Sequence, residues 1–594
     1  MVVLLRAHTC WMRPLLRCLP FLVCVAFSID AFAVPDAAET VRAHALFDRY
    51  WKESAERFPE WATWRGDHRF DDRLRDASES GEASDDAWTL GMLNAASKLS
   101  REALGSTDRI SLDLFIHDRA DDVAMQRFVG YRHMTFGSSF GFQILLPELL
   151  RAMVVRDPVR AEQALVRLRG YAKRVDEEID GARRAAALGW IQPQPVLERT
   201  LGQIDAQLAP AGEDGPFTEP FKKLDDPALR ARLAGAIKQD VLPAQRRLRV
   251  FIANELLPKA PAQGGLSRYP GGAEVYAALV RQRTTTDMTP AQVRALGLRE
   301  LERIGKGFDD VRKALKIEGS VGEIAKRLSE PAYLFDSPDA LLDGYRAIGK
   351  RIDAELPHLF AELPRAPWGV RAIPAYLGPG AFAYYDSPPP DASEPGWFNA
   401  NVQAYRQQRR WGMPTLVAHE AVPGHHLQTA RALELTDLPE FRRQGWYTAY
   451  GEGWALYSET LGNMIGLYDK PEDRFGHLQA QALRAARLVV DTGLHALGWS
   501  RQQAVDFMID RYGGPQDFIE SEVDRYLSNP GQALAYMVGQ VKIIELRERA
   551  RAALGQRFDL RRFHNAVLDQ GALPLDVLDH QIDEWTATEA TRAR

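Results

Sequence analysis

The sequence predicts an all-α protein with a small β insert, and three observations support this. Long segments repeat apolar residues at helical spacing, several of them open with helix-capping residues, and one short stretch rich in proline, glycine and aromatic residues stands apart. No strand–helix alternation of the doubly wound kind occurs along the chain. Of the 594 residues, 45% are apolar, which supplies enough material for a core, and the formal net charge of −5 argues against binding to nucleic acid.

The N-terminus has the pattern of an export signal. Three arginines precede an apolar run over residues 19–29, and an A-x-A sequence follows at residues 31–33. The run is too short to span a bilayer, so we expect no permanent membrane anchor. These features predict that residues 1–33 are a signal peptide and that residues 34–594 form one helical domain, exported to the periplasm or the extracellular space.

The three cysteines, Cys10, Cys18 and Cys24, all lie within this predicted signal peptide. A mature chain without thiols has no cysteine nucleophile and no thiolate metal site, so any metal must be held by histidine, aspartate or glutamate. Lipid modification of Cys24 is an alternative to simple cleavage, although Val23 is larger than the residue that such processing usually requires.

Caps and apolar stripes mark the helices. Residues 289–292, Thr-Pro-Ala-Gln, have the form of a capping box with proline at the first helical position. Residues 500–503, Ser-Arg-Gln-Gln, open another helix in the same way. Further long helical patterns cover residues 36–56, 86–131, 145–210, 222–262, 338–363, 472–498 and 530–556.

The β insert is predicted within residues 364–400, where proline, glycine and aromatic residues indicate two short strands and a turn. We expect residues 372–401 to offer an edge strand to an extended peptide through backbone hydrogen bonds. Tyr384 and Asn399 are then candidate substrate-binding residues. A purely structural hairpin is the alternative.

The chemistry is concentrated in residues 416–428, Leu-Val-Ala-His-Glu-Ala-Val-Pro-Gly-His-His-Leu-Gln. His419 followed by Glu420 resembles the start of the H-E-x-x-H zinc helix. In that motif two histidines four apart share one helix face and the glutamate acts as general base. Here Pro423 stands where the second histidine should be, so the ordinary motif does not apply without a change in the backbone.

On an ideal helix, neither of the following histidines shares a zinc ion with His419. His425 would point roughly 240° away, and His426 would lie about 10 Å further along the axis. Pro423, however, removes an amide and forces the helix to break or bulge, and Gly424 adds backbone freedom. Such a break favours His425 as the second ligand and leaves His426 as the alternative.

A third ligand is expected from a neighbouring helix. Glu452 begins the sequence Glu-Gly-Trp-Ala, which resembles the Glu-Gly-Phe-Ala segment that supplies the third zinc ligand in metalloaminopeptidases of the thermolysin-like clan. Two histidines and one glutamate would leave an open position, which is typical of catalytic zinc. Glu459, two turns further on the same face, is suited to orient a ligand histidine, and His426 is assigned to the same outer layer of contacts.

Three motifs together resemble a known family, the bacterial family catalogued as domain of unknown function 885. They are His-Glu-x-x-Pro-Gly-His-x-x-Gln at residues 419–428, Glu-Gly-Trp-Ala-x-Tyr-x-Glu at 452–459 and Pro-Gly-Gln-Ala-x-x-Tyr at 530–536. The Pro-Gly insertion belongs to the family pattern, which supports His425 as the ligand. The family resembles the helical peptidases around angiotensin-converting enzyme, which implies a metal at the floor of a deep cleft between two helical halves.

The resemblance implies an exported zinc peptidase that acts on small peptides, with Glu420 as general base. It also implies that Tyr536 donates a hydrogen bond to the oxyanion of the tetrahedral intermediate. Gln532 lies four residues before Tyr536 and therefore on the same helix face, and it is a candidate substrate contact. Arg525 is a candidate partner for a substrate carboxylate, since a guanidinium group is well shaped for one.

Other functions remain open. A metal-dependent amidase or esterase on a non-peptide substrate would use the same residues, whereas a non-catalytic peptide-binding protein would have no use for Glu420. Residues 137–141, Gly-Ser-Ser-Phe-Gly, fit the G-x-S-x-G pattern of serine hydrolases. That motif requires a strand before it and a helix after it in an α/β sheet, so the helical surroundings favour a simple turn.

Overall fold

The computed structural model describes residues 35–137, 141–209, 215–373 and 383–592. The predicted signal peptide and the centre of the Gly-Ser-Ser-Phe-Gly segment lie outside these ranges. Helix makes up 71% of the described residues, and their strands form one three-stranded sheet, so the predicted all-α fold with a small β insert is confirmed. Within the described ranges, no helix is both long enough and apolar enough to cross a membrane.

The α-helices divide into a set before the sheet and a set after it. Those described before the sheet are α1 (Ala37–Arg57), α2 (Pro59–Trp64), α3 (Glu79–Ala96), α4 (Ser106–Gln126), α5 (Val129–Arg132), α6 (Phe142–Ala152), α7 (Pro158–Ala187), α8 (Gln194–Leu208), α9 (Pro227–Ala236), α10 (Leu242–Phe251), α11 (Gly272–Thr284), α12 (Pro290–Leu315), α13 (Val321–Arg327) and α14 (Pro338–Leu359). Those described after it are α15 (Met413–Glu420), α16 (His425–Leu433), α17 (Glu440–Arg443), α18 (Thr448–Leu461), α19 (Pro471–Ala496), α20 (Arg501–Tyr512), α21 (Gln516–Ser528), α22 (Ala535–Leu554), α23 (Leu560–Leu568) and α24 (Leu575–Thr591).

The two capping boxes predicted from sequence are present. Thr289 and Ser500 each accept a hydrogen bond from the backbone three residues later, and the glutamine at that position bonds back to the cap. The long pattern over residues 145–210 is instead divided among α6, α7 and α8. One division falls at Asp157, which caps the next helix, because Pro158 behind it has no amide hydrogen and suits only a first helical turn.

The sheet has three strands, one more than predicted. The strand β1 (Trp368–Ala372) runs parallel to β3 (Gly396–Ala400), while β2 (Tyr384–Asp386) runs antiparallel to β3, so the order is β1-β3-β2. The central strand β3 has no alternation of apolar and polar residues, because both of its faces are covered. Phe398, for example, packs edge-on against Tyr345 of α14 at 4.8 Å between ring centroids.

The apolar core of the described residues forms several clusters, and the one around the site also includes the N-terminal helices α1, α3 and α4. Another cluster is formed by residues between 136 and 256, on helices α6 to α10 and the segments that join and follow them. The largest cluster includes α12, α18, α19 and α22, which surround the sequence motifs described above. A deep cleft between two helical halves stays a prediction.

Candidate metal centre

Three helices bring the predicted ligands together. His419 lies in the last turn of α15, His425 is the first residue of α16, and Glu452 lies in the second turn of α18. Nε2 of His419 lies 3.6 Å from Oε2 of Glu452, and Nε2 of His425 lies 3.4 Å from the same oxygen. One donor atom from each of the three side chains lies within 4.8 Å of the others.

The break between α15 and α16 allows this meeting. Helix α15 ends at Glu420, the chain then contains a cis Val422–Pro423 peptide, and α16 begins at His425. Gly424 is required there by a close approach, because a Cβ atom at this position would lie 1.9 Å from the carbonyl oxygen of His419. The sequence therefore replaces four residues of helix with a turn and brings His425 back to His419.

The turn is held by α18, the helix that carries Glu452. The carbonyl oxygen of Pro423 accepts hydrogen bonds from Nε1 of Trp454 at 2.9 Å and from Oγ of Ser458 at 3.2 Å. Both donors are fully buried. The positions of the second and third candidate ligands are therefore fixed against each other.

His426 points away from this cluster, and both of its ring nitrogens are occupied. Its Nδ1 lies 2.8 Å from Oη of Tyr385 in β2, and its Nε2 lies 3.1 Å from the carbonyl oxygen of Ala366. Burial lowers the pKa of His426 to about 4, so the ring is neutral near pH 7. A neutral ring that donates to Ala366 and accepts from Tyr385 has no nitrogen left for a metal.

The donor set fits a tetrahedral zinc ion. Bonds of about 2.1 Å at tetrahedral angles place neighbouring ligand atoms roughly 3.4 Å apart, and the distances of 3.4 and 3.6 Å in the structure are close to this value. Oε2 of Glu452 and Nδ1 of His425 are buried without a hydrogen-bond partner in the described parts of the chain. A buried carboxylate oxygen in that state calls for an explanation, and a cation between it and the two Nε2 atoms supplies one.

The charges around the two histidines also favour a cation. Nδ1 of His419 donates a hydrogen bond to Oε1 of Glu459 at 2.9 Å. Burial works to lower the pKa of His419, but Glu452 and Glu459 raise it to about 9. Burial alone would raise the pKa of Glu452, yet the two histidines hold it well below its ordinary value. A site that binds a proton this strongly would attract a divalent cation in its place.

Glu420 stands beside the donors without being tied to them. Its carboxylate accepts no hydrogen bond from any described residue, and the side chain is 8% exposed. Burial raises its pKa, while His419 and His425 act in the opposite direction. No described residue therefore ties down this carboxylate, although it lies beside the candidate ligands.

Tyr536 faces the site from the first turn of α22. The Tyr536 ring lies nearly parallel to that of His419, with 6.4 Å between the centroids. The guanidinium group of Arg487, on α19, lies 4.6 Å from the centre of the Tyr536 ring. Nε2 of Gln532 donates to the Tyr536 oxygen at 3.4 Å, and Nη1 of Arg525 donates to Oε1 of Gln532 at 2.8 Å. Since the phenol oxygen is already an acceptor, its hydrogen is free to point elsewhere.

Arg525, the predicted partner of a substrate carboxylate, is buried and already paired. Its guanidinium donates to both carboxylate oxygens of Glu522, at 2.8 and 3.0 Å, and Arg487 donates to the same carboxylate at 2.7 Å. Two buried arginines therefore share one buried glutamate. Burial and Glu452 raise the pKa of Tyr536, whereas Arg525 and Arg487 act in the opposite direction. The structure gives Arg525 a clear task, the orientation of Gln532, and a bond to a substrate carboxylate stays a prediction.

The two candidates in the sheet differ. The side chain of Asn399 donates to Asp386 and to the backbone of Tyr384, and its oxygen accepts from Nε of Arg371 at 2.7 Å. Asn399 is 1% exposed, and its side-chain amide forms hydrogen bonds within the sheet. The ring of Tyr384 packs against Arg151 of α6, and its hydroxyl is buried without a partner among the described residues. Of the pair, Tyr384 alone has a polar group left for a ligand.

Two glycines set the distance between Glu452 and Tyr536. Gly453 of α18 faces Gly539 of α22 so closely that a Cβ atom at Gly453 would lie 2.5 Å from Cα of Gly539. A Cβ atom at Gly539 would lie 1.8 Å from the carbonyl oxygen of Ala449. The two helices therefore cross in direct backbone contact.

The sequence analysis missed a set of polar residues on α19 that supports the site. Its members lie three or four residues apart and so share one face of this mostly buried helix: His477, Gln481, Arg484, Arg487 and Asp491. Gln481 donates to Glu459, and Asp491 accepts from the backbone of Gly531 just before Gln532. Their spacing of three or four residues was the signal that could have identified them, because a polar stripe inside a buried helix needs polar partners.

Comparison with known proteins places the chain in a family. A family model described as bacterial protein of unknown function (DUF885) matches residues 59–582. No curated protein matches the chain. A provisionally assigned lipoprotein from Colwellia psychrerythraea has a structure that is similar at a TM-score of 0.88 and 28% identity, covering 93% of this chain and 99% of its own.

A second solved structure shows the same fold at greater distance. It is a provisionally assigned lipoprotein of unknown function from Shewanella oneidensis, with a TM-score of 0.68 and 18% identity over 92% of this chain and 99% of its own. The family match extends over most of the chain and includes all three motifs on which the resemblance rested, so the chain belongs to the bacterial family of unknown function DUF885.

Proposed function

We propose that the chain is an exported, zinc-dependent hydrolase that cleaves the amide bonds of small peptides. The observation that carries the proposal is the arrangement of His419, His425 and Glu452, whose donor atoms lie at tetrahedral spacing. The free carboxylate of Glu420 beside them distinguishes a catalytic site from a structural one, because structural zinc has four protein ligands and no adjacent base.

The chemistry divides between the metal and the side chains. Zinc bound there would supply Lewis acidity and a water molecule of lowered pKa. Glu420 would accept a proton from the attacking water and deliver it to the leaving amine, which its buried but unbonded carboxylate permits. Glu459 would hold His419 in the tautomer whose Nε2 faces the cation.

Tyr536 would stabilise the charge that develops on the carbonyl oxygen. Gln532 donates to the phenol oxygen, so the phenol hydrogen is available for a substrate. The positive charge of Arg487 and Arg525 behind the ring would strengthen this donor. The sharing of Glu522 by both arginines keeps that charge in place without a substrate.

A peptide is the substrate class that the sequence motifs favour, since they resemble those of helical zinc peptidases. The sheet beside the site supports it, because β2 contacts His426 through Tyr385 and has one edge that β3 does not cover. Export is supported by the signal pattern of residues 1–33, and the Colwellia and Shewanella proteins are described as lipoproteins.

The test compares purified residues 34–594 with the Glu420→Gln variant. Zinc bound per chain, measured by mass spectrometry, should be close to one in both, while the variant should lose roughly 10²- to 10⁴-fold in turnover. A panel of short peptides and of amino-acid esters distinguishes a peptidase from an esterase. Hydrolysis that survives both a chelator and the Glu420→Gln change would overturn the proposal.

A further inference from the structure

Trp446 stands out among the side chains around the candidate ligands because it faces solvent. His419, Glu420 and His425 are at most 9% exposed, whereas Trp446 is 47% exposed. Its ring nevertheless lies beside a ligand, with 5.9 Å between its centroid and that of His425 and 47° between the two planes. The indole therefore contacts the metal centre on one side and is open on the other.

The backbone is built to hold this ring. Trp446 lies in the turn between α17 and α18, and its six-membered ring rests on Gly451, the residue directly before Glu452. A Cβ atom at Gly451 would lie 2.2 Å from Cη2 of Trp446. The glycine on one side of Glu452 thus admits Trp446, just as the glycine on its other side admits α22.

An indole is on average highly buried, and the open half of this one lies directly beside a candidate metal ligand. Trp is enriched among the residues that contribute most to binding, since it offers a wide rigid surface at little cost in side-chain entropy. We propose that Trp446 forms the wall of a subsite next to the metal, and that this subsite takes an aromatic or large aliphatic side chain of the substrate. The assignment to a substrate rests on the proposed function.

A purely structural role of Trp446, support of the His425 ring, must be distinguished from a role in substrate binding. Nδ1 of His425 is buried without a hydrogen-bond partner in the described chain, so the indole could serve only to hold the His425 ring. Loss of such a support would weaken zinc binding and would affect every ligand of the metal alike. Loss of a subsite wall would affect only ligands with a bulky apolar group.

Two zinc-binding probes make the distinction without any turnover. Acetohydroxamate and benzohydroxamate share the same metal-binding group and differ in a methyl against a phenyl. Each is titrated by calorimetry into zinc-loaded residues 34–594, into Trp446→Ala and into Trp446→Phe. Trp61→Ala is the matched control, because Trp61 is 57% exposed on α2 and belongs to neither the site nor its helices.

We expect Trp446→Ala to bind benzohydroxamate at least tenfold more weakly while acetohydroxamate binding and zinc content change less than twofold. Trp446→Phe should lie between, and Trp61→Ala should match the wild type. An unchanged preference for the phenyl probe in Trp446→Ala, or an equal loss for both probes, would overturn the inference. Zinc binding and hydroxamate selectivity without hydrolysis of any peptide would instead count against the proposed function and leave the subsite standing.

Discussion

Neighbouring residues in this chain have unlike tasks, as His425 and His426 show. The first turns its Nε2 to Glu452, whereas the second is bonded at both nitrogens to Tyr385 and Ala366. We therefore predict that His425→Ala loses bound zinc and that His426→Ala retains it. Metal content after dialysis measures the difference, and the reverse result would mean that His426 is the ligand.

Tyr536 offers a second test at a single atom. Tyr536→Phe removes the hydroxyl and keeps the ring that lies against His419 and Arg487. A well-aimed donor of this kind is worth on the order of 3 kcal/mol in the transition state, so turnover should fall roughly a hundredfold with zinc content unchanged. Steady-state kinetics on the best peptide of the panel measures it, and near-normal turnover would remove Tyr536 from the mechanism.

Sequence reasoning found the candidate ligands because their spacing is local and chemically restrictive. His419, Glu420 and His425 lie within seven residues, and Glu452 has its own short motif. It did not find Trp446 or Glu522, since a tryptophan in a turn and a glutamate on a helix have no pattern that separates them from ordinary residues. Their parts arise from packing, which joins residues that are remote in the chain.

At the level of elements, the turn between α15 and α16 decides whether the ligands meet. Gly424→Ala would place a Cβ atom against the His419 carbonyl group, so the turn would have to move and separate His425 from His419. We predict loss of zinc from a variant in which every ligand is intact. Its matched control is Gly305→Ala in α12, where a Cβ atom meets nothing within 4 Å.

Gly305→Ala should keep its zinc and gain about 1 kcal/mol of stability, because alanine replaces glycine in a helix interior. Urea unfolding and metal analysis of both variants decide the matter. Full zinc occupancy in Gly424→Ala would show that the close approach is not what places His425.

The elements themselves were predictable to the extent that local chemistry defines them. Capping residues fixed the starts of α12 and α20, where side chain and backbone satisfy each other within three residues. The central strand β3 was not predicted, because a strand covered on both faces lacks alternation and its parallel partner β1 lies 28 residues earlier. Parallel pairing is a long-range contact that no local pattern records.

At the scale of the whole molecule, buried neutral histidines make the fold sensitive to acid. His495 accepts from the Leu266 amide and donates to the Tyr526 carbonyl group, and His564 donates to the Leu359 carbonyl group and accepts from Tyr457. Burial lowers the pKa of each to about 4.

The unfolded chain, with histidine pKa values near 6.5, then binds more protons than the folded chain as the pH falls below 6.5. Stability is therefore fully present above pH 6.5 and declines towards pH 4, by up to about 3 kcal/mol for each ring. His564→Asn, which keeps a donor near Nδ1, should lose less stability between pH 7 and pH 5 than the wild type. Urea midpoints at the two pH values measure this, and parallel losses would contradict it.

The backbone contact between Gly453 and Gly539 makes both positions intolerant of substitution. Neither glycine has a side chain that takes part in chemistry, and Gly539 lies on a different helix from every candidate metal ligand. Yet any side chain at either position would wedge α18 from α22 and move Glu452 away from Tyr536. A saturation mutagenesis screen scored only by activity would rank Gly539 with the ligands, although what it contributes to the site is the space it leaves empty.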